Sequence, residues 1–318
     1  MRKNLNQEHI EGYVYSHDLV VKQVANTESA NYGKDFISGN IEVAVDNDLL
    51  NVIPVHFTYV TETTSKGSKN ATYANLKKII DDDMTVVKVG KEEAYKVKID
   101  TALGLNDFYT QDDRLVSTRV NEGGFVSFVN GELAEESKRN VFNMDMLITG
   151  VTSIEADPEK NIDKPYVMVK GAVFNFRNEL LPVEFKCNNP AGMKHFEDLG
   201  VTNAEPVYTK IWGTINCETK TRTVTEESAF GEAAVQTYER KVKDWVITGT
   251  SKVPYDFGDE EVMTAEEVQK AAQDRETKLA EIKARNEEYK MSKAAGTTTP
   301  AKPAAGPKPV ANKGGFNF

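Results

Sequence analysis

Cysteine is scarce: the 318-residue chain carries two, Cys187 and Cys217, far apart and without Cys-x-x-Cys spacing. That excludes a disulfide framework and a thiolate zinc site, and each cysteine reads as a buried reduced thiol. Four histidines, His9, His17, His56 and His195, fall in no metal-ligand pattern. No run of about 18 consecutive apolar residues occurs, and no apolar stretch follows Met1-Arg2-Lys3-Asn4, so neither membrane insertion nor export is encoded. The expectation is a soluble, cytoplasmic protein, in the host cytoplasm if phage-encoded.

Catalytic signatures are missing too. The chain has no Gly-x-Ser-x-Gly elbow, no P-loop, no Gly-x-Gly-x-x-Gly after a strand and no His-Glu-x-x-His. Asp81-Asp82-Asp83 and Asp112-Asp113 lack the register of a calcium loop and read as loop charges. No enzyme activity, cofactor or metal is expected.

What is present is enough apolar content, 39%, for two modest cores once a polar tail is set aside. The formal net charge of −10 speaks against a surface that attracts polyanions everywhere, though a local basic groove can coexist with an acidic exterior. The distribution of charge has to decide.

An internal repeat organises the chain. Phe36-Ile-Ser-Gly39-Asn-Ile41-Glu-Val43, followed by Asn51 to Phe57, parallels Val167-Met-Val169-Lys-Gly171-Ala-Val173-Phe-Asn-Phe176, followed by Leu180 to Phe185. Both copies read as a strand with an internal Gly, a turn, then a strand carrying Pro-Val-x-Phe. Period-2 alternation of β-branched and aromatic residues supports strands, and the Gly suits the bulge or bend a small barrel needs at a corner. A short helical pattern follows each hairpin, Ala71 to Ile80 and Ala191 to Leu199. Further strands follow: Ala94 to Ala102 and Leu115 to Phe128, then Val207 to Ile215 and Glu239 to Val253. Tyr13 to Val24 and Met146 to Ala156 open the two halves.

Three strands, a helix and two more strands is the order of the five-stranded OB barrel. The chain is therefore expected to be mainly β: two tandem OB-like five-stranded barrels over residues 8–131 and 140–255, hinged near Glu132 to Asn143. A plain antiparallel sandwich fits the same strands. Thr264 to Lys290 reads as a charged helix, within an expected segment 264–290, opened by a Thr264–Glu267 capping box. Its apolar stripe is interrupted by Arg275 and Asn286. Residues 294–318 are rich in Ala, Pro, Gly, Thr and Lys and are expected to be a disordered tail.

Binding of single-stranded nucleic acid needs aromatic faces for bases and cations for the backbone. Strand alternation nominates Tyr13 and Tyr15 on one face, and Lys96 and Lys98 on one face of a later strand. In the second half it nominates Lys186, Lys210 with Trp212, and Lys241 and Lys243 with Trp245. Lys66, Lys69 and Arg222 are nominated from loops, which in OB barrels grip strands.

The segments Ile37-Ser38-Gly39-Asn40-Ile41-Glu42-Val43 and Val55-His56-Phe57-Thr58-Tyr59-Val60, with the repeat and the tail, resemble a phage version of the single-stranded DNA-binding proteins of bacteriophages and bacteria. That resemblance implies a non-enzymatic protein with tandem OB folds, coating or protecting single-stranded DNA during replication or recombination. The bacterial members end in an acidic tail with a Pro-Phe tip that docks replication proteins. Here the tail is basic, with Lys302, Lys308 and Lys313, and ends Asn317-Phe318, so replication partners bound through Phe316 and Phe318 are an expectation only by analogy. A virion or tail structural β-barrel protein remains the alternative reading, and oligomeric state stays open.

Overall fold

The computed structural model describes residues 4–29, 31–64, 66–157, 162–226, 230, 234–257 and 262–294. In chain order it contains β1 (Asn6–His17), β2 (Val20–Gln23), β3 (Asp35–Ala44), β4 (Val52–Thr61), α1 (Ala71–Asp82), α2 (Val86–Val89), β5 (Lys96–Tyr109) and β6 (Leu115–Phe128). The second half follows with β7 (Asn140–Ile154), β8 (Tyr166–Phe174), β9 (Leu180–Cys187), α3 (Pro190–Asp198), β10 (Val207–Glu226), β11 (Ala234–Thr250) and α4 (Ala265–Ala294). Of the expected disordered tail, 294–318, Ala294 ends α4, and residues 295–318, with Phe316 and Phe318, lie outside the described residues. Among the described residues no helix is long and apolar enough to cross a membrane.

The pairings close two barrels. β1 pairs antiparallel with β3, β3 with β4 and β5 with both β6 and β1, while β4 lies parallel to β6. β7, β8, β9, β11 and β10 repeat this circuit, with β9 parallel to β11. In each circuit the third strand meets the fifth in parallel and the helix falls between the third and fourth, the connectivity of an OB-like barrel.

The glycines of the repeat act as the sequence suggests. Gly39 sits at φ 134°, at a register shift between β3 and β4, where a Cβ would press on the backbone of Asp18 and Leu19. Gly171 lies opposite the bulge at Ile148–Gly150, where a Cβ would overlap the Leu147 carbonyl. Both bend a strand at a barrel corner.

The two short helices share an asparagine cap. Asn70 Oδ1 accepts from Thr72 N at 3.1 Å, and Asn189 Oδ1 accepts from Ala191 N at 3.0 Å. α1 buries Thr72, Tyr73, Leu76 and Ile79, and its Asn75 side chain donates to the Val126 carbonyl of β6. It closes one end of the first barrel, as Phe196 anchors α3 on the second.

In place of a hinge, a continuous sheet joins the halves. β1 starts at Asn6, seven residues before the expected Tyr13, and this early part pairs with β7 from Asn6↔Met144 to Ile10↔Asn140. One hydrophobic cluster accordingly runs through both barrels, from Ile10, Val97 and Ile99 to Phe142, Met144 and Ile211. Each barrel also extends its last hairpin toward the other. β10 and β11 reach Glu226 and Ala234, well past the expected strand ends, through the β-branched run Thr219 to Thr225.

α4 opens on the expected capping box, with Thr264 N donating to Glu267 Oε2 at 3.0 Å and Glu267 N to Thr264 Oγ1 at 3.2 Å. Val262, Met263 and Ala271 pack with Leu147, Phe174 and Tyr208 of the second barrel. Burying Val262 and Met263 contributes about 1.5–3 kcal/mol each. Farther along, Arg275 makes a bidentate pair with Asp107 of β5, at 3.1 and 3.0 Å, and Lys290 reaches Asp113 at the β5–β6 turn. The helix thus clamps the hairpin of one barrel onto the other.

Candidate nucleic-acid interface

β1 alternates Ile10, Gly12 and Val14 inward, which leaves Tyr13 half-exposed on the outside of the first barrel. Two ammonium groups face its ring. Lys91, from the segment between α2 and β5, lies 5.3 Å from the ring centroid, and Lys96, directly opposite Tyr13 in register, lies 5.9 Å away. Lys98, exposed, follows on the same face of β5, opposite Glu11. Tyr15 is half-exposed beside Ser16, and the β10–β11 hairpin brings Lys241 to this surface from the second barrel. Lys241 Nζ lies 2.9 Å from Glu42 Oε1. Five nominated residues, Tyr13, Tyr15, Lys96, Lys98 and Lys241, are therefore gathered around β1.

This surface is mixed in sign. His9 stands between Glu11 at 3.5 Å and Asp100 at 3.3 Å. On β3 and β4, His56 Nδ1 and Asn40 Oδ1 are 2.9 Å apart, with Asp18 held by Asn40. Burial, with Lys22 nearby, pulls the His56 imidazole below its ordinary range despite Asp18, so it is neutral at physiological pH.

At the far end of β4 a second aromatic group was not nominated from sequence. Phe36 and the exposed Tyr59 meet with ring centroids 4.7 Å apart, and Lys22 of β2 is in register with Phe36. The loop carrying the exposed Lys66 and Lys69 folds back onto this end through Asn70 Nδ2, which donates to the Thr61 carbonyl, and a Thr63↔Lys69 bridge. Asp35 and Glu62 flank the same end. The Phe36–Tyr59 contact joins strands whose register depends on the bulge at Gly39, so spacing in the chain does not reveal it.

The second barrel departs from the sequence reading. Trp245, nominated as a stacking face, is completely buried: its ring parity with Ile247 turns it inward, and Arg119 of β6 lies 4.6 Å from the ring centroid. Its Nε1 donates to Glu8 Oε1 at 2.8 Å. It is a core residue at the junction of the barrels. Lys243 is largely buried beside it, and that burial lowers its ammonium pKa. Lys186 is held by Asp244 at 2.7 Å and lies 5.1 Å from the Tyr166 ring centroid. Lys210 and Trp212 share the outer face of β10, and Trp212 is 40% exposed. Arg222, nominated from a loop, falls instead within β10, paired with Tyr238, and its side chain lies outside the described residues.

Register carries the outer face across the junction. Trp212 pairs with Asn143 and Asn143 with Gln7, while Thr214, Val141, His9, Asp100 and Phe125 form one row over β10, β7, β1, β5 and β6. Phe125 is 75% exposed. Adjacent strands lie about 4.8 Å apart, so this row spans roughly 19 Å. Among the described residues no group of three metal-ligating side chains occurs.

A family model described as YorF matches residues 5–285. No curated protein matches the chain. Among solved structures, a deletion mutant of the single-stranded DNA binding protein from Thermus aquaticus is similar at 11% identity and a TM-score of 0.46, over 82% of this chain and 100% of that one.

Proposed function

The chain belongs to the YorF family, and within it we propose that this protein holds single-stranded DNA on the outside of its first barrel, without chemistry, coating and protecting it during replication or recombination. The observation that carries this reading is the group formed by Tyr13, Tyr15, Lys91, Lys96 and Lys241: two outward tyrosines with ammonium groups drawn from three separate segments of the chain. Bases stack on such rings whatever their sequence, and the lysines neutralise the backbone between them. The exposed Tyr59 with Phe36, and Lys66 and Lys69 beside them, extend the surface toward β4. Trp212 extends it toward the second barrel.

The acidic exterior is compatible with this, because affinity depends on cations along the path of the strand and the surrounding negative charge restricts binding to that path. No step of bond making or breaking is assigned to these residues. Replication proteins, bound through the tail end that contains Phe316 and Phe318, belong to the same proposal by analogy.

Fluorescence anisotropy with a labelled oligo-dT tests it. Binding is expected at low salt, with log K falling by about 0.7 per phosphate contact as log salt rises. Replacing Tyr13 and Tyr15 together by Ala should weaken binding by about tenfold or more, given roughly 1–3 kcal/mol per stacked base. No binding at low salt, or equal binding of duplex, overturns the reading. Preference for an RNA oligomer would replace DNA by RNA as the ligand.

A further inference from the structure

Glu42 of β3 lies beside the lysine-and-tyrosine surface with both of its carboxylate oxygens engaged by donors. Ser16 Oγ of β1 donates to Oε2 at 2.7 Å, and Lys241 Nζ of β11 donates to Oε1 at 2.9 Å. The donors come from different barrels, and Ser16 is directly opposite Glu42 in the β1–β3 register. Tyr15, adjacent to Ser16 in β1, is half-exposed on the same surface.

We propose that the Glu42 carboxylate is an internal stand-in for a backbone phosphate, occupying between Ser16 and Lys241 the place that a phosphate of single-stranded DNA takes, and that this competition sets the affinity. The inference rests on the single-stranded DNA reading and deepens it. A hydroxyl and an ammonium converging on two oxygens is the arrangement that a phosphate's non-bridging oxygens accept, and carboxylate and phosphate share it. With the carboxylate turned away, Ser16, Lys241 and Tyr15 form a phosphate contact beside a stacking face.

The exchange is inexpensive. The Lys241 side chain is 57% exposed and that of Glu42 29%, and ion pairs this accessible hold weakly. Burial alone would raise the Glu42 carboxyl, yet the bonds from Lys241 and Ser16 outweigh it and keep it below the usual range, so it is charged and competing at neutral pH. A buried structural pair would instead resist separation. The contact also explains how an acidic protein avoids holding polyanions indiscriminately: Lys241 is released only to a ligand that engages the neighbouring tyrosines as well.

The test uses the full chain and labelled oligo-dT. Glu42→Gln keeps an acceptor for Ser16 and removes the competing charge. It should tighten binding by about fivefold or more and steepen the salt dependence by about 0.7, one additional phosphate contact. Glu28→Gln, the same charge change in the exposed loop after β2, leaves the Ser16–Glu42–Lys241 contact in place and should alter affinity by less than about twofold, because an exposed charge is screened by salt. Lys241→Ala in the Glu42→Gln background should abolish the gain, and thermal melts report whether each variant is folded. Should Glu42→Gln fail to fold, Glu42→Ala reads the same competition. Absence of binding by the wild-type chain overturns the single-stranded DNA reading and this inference with it. Binding by the wild type with no gain in either variant, a gain matched by Glu28→Gln, or a gain that survives Lys241→Ala overturns the stand-in alone.

Discussion

Trp245 Nε1 donates to Glu8 Oε1 at 2.8 Å with both residues buried, so the last strand of the second barrel is hydrogen-bonded to the first strand of the first. Thr101 Oγ1 donates to the other carboxylate oxygen at 2.8 Å. The junction is thus a polar contact inside a continuous apolar core, which makes its strength dependent on a proton.

Burial pushes the Glu8 carboxyl from 4.5 up to about 7, although Trp245, Thr101 and Lys243 pull it down; Glu122 adds to the rise. Below the unfolded value both states hold the proton and burial costs nothing. Between 4.5 and about 7 the unfolded chain releases it while the folded chain keeps it, so this group's contribution falls as pH rises. The loss totals roughly 3 kcal/mol and persists above that window. Glu8→Gln should therefore be more stable than wild type at neutral to alkaline pH and nearly equal to it in acid. Urea denaturation of both proteins across the window measures the difference; a difference independent of pH would contradict the assignment.

The two tryptophans should be optically distinct, since Trp212 is 40% exposed and Trp245 fully buried. Trp212→Phe is expected to leave a blue-shifted emission that acrylamide barely quenches. Any quench by oligo-dT should disappear in the same variant. Strong quenching of the remaining tryptophan would show that the junction opens.

Arg275 and Asp107 form a bidentate pair with side chains only 10% and 5% exposed. Arg275→Met leaves a buried carboxylate without its cation, held only by the Ser117 hydroxyl, a loss of up to about 3–5 kcal/mol in such settings. The expected result is release of α4 from the β5–β6 hairpin, read as faster amide exchange along Ala265–Ala294. Combining it with Asp107→Leu should recover much of the protection.

Gly171→Ala should cost about 1–3 kcal/mol, as overpacking does, because its Cβ would overlap the Leu147 carbonyl across the sheet. At Gly150 an added Cβ meets only Lys170 Cβ, at 3.9 Å, so Gly150→Ala should be close to neutral. Equal effects at the two sites, measured by urea denaturation, would refute the bulge geometry.

Much of the strand order was legible because barrel strands with one buried face must alternate, and the duplicated Gly-bearing hairpin repeats that alternation. The Thr264–Glu267 box is local chemistry too, complete within four residues; the Asn70 and Asn189 caps are as local but were not nominated. The start of β1 was not legible: Asn6-Gln-Glu-His-Ile-Glu-Gly12 lacks an apolar face, since Glu8 is buried against a tryptophan 237 positions away. Arg275 interrupts the apolar stripe of α4 for a similar reason, its partner being Asp107.

For the surface, Tyr13, Tyr15, Lys96 and Lys98 could be nominated because neighbours within a strand share a face at period two. The pairing of lysine with Trp245 misled, because that same period puts residue 245 inward and only the parity of the barrel core says so. Sequence alone determined the repeated strands, the α4 capping box and the supply of aromatic and basic residues, all properties of a few consecutive positions. Tertiary structure decided that the barrels share one sheet, that Trp245 is core, and that Lys241 reaches Glu42 beside Tyr15. Each of those depends on which distant strands become neighbours, and that follows from closing the barrels rather than from any local preference.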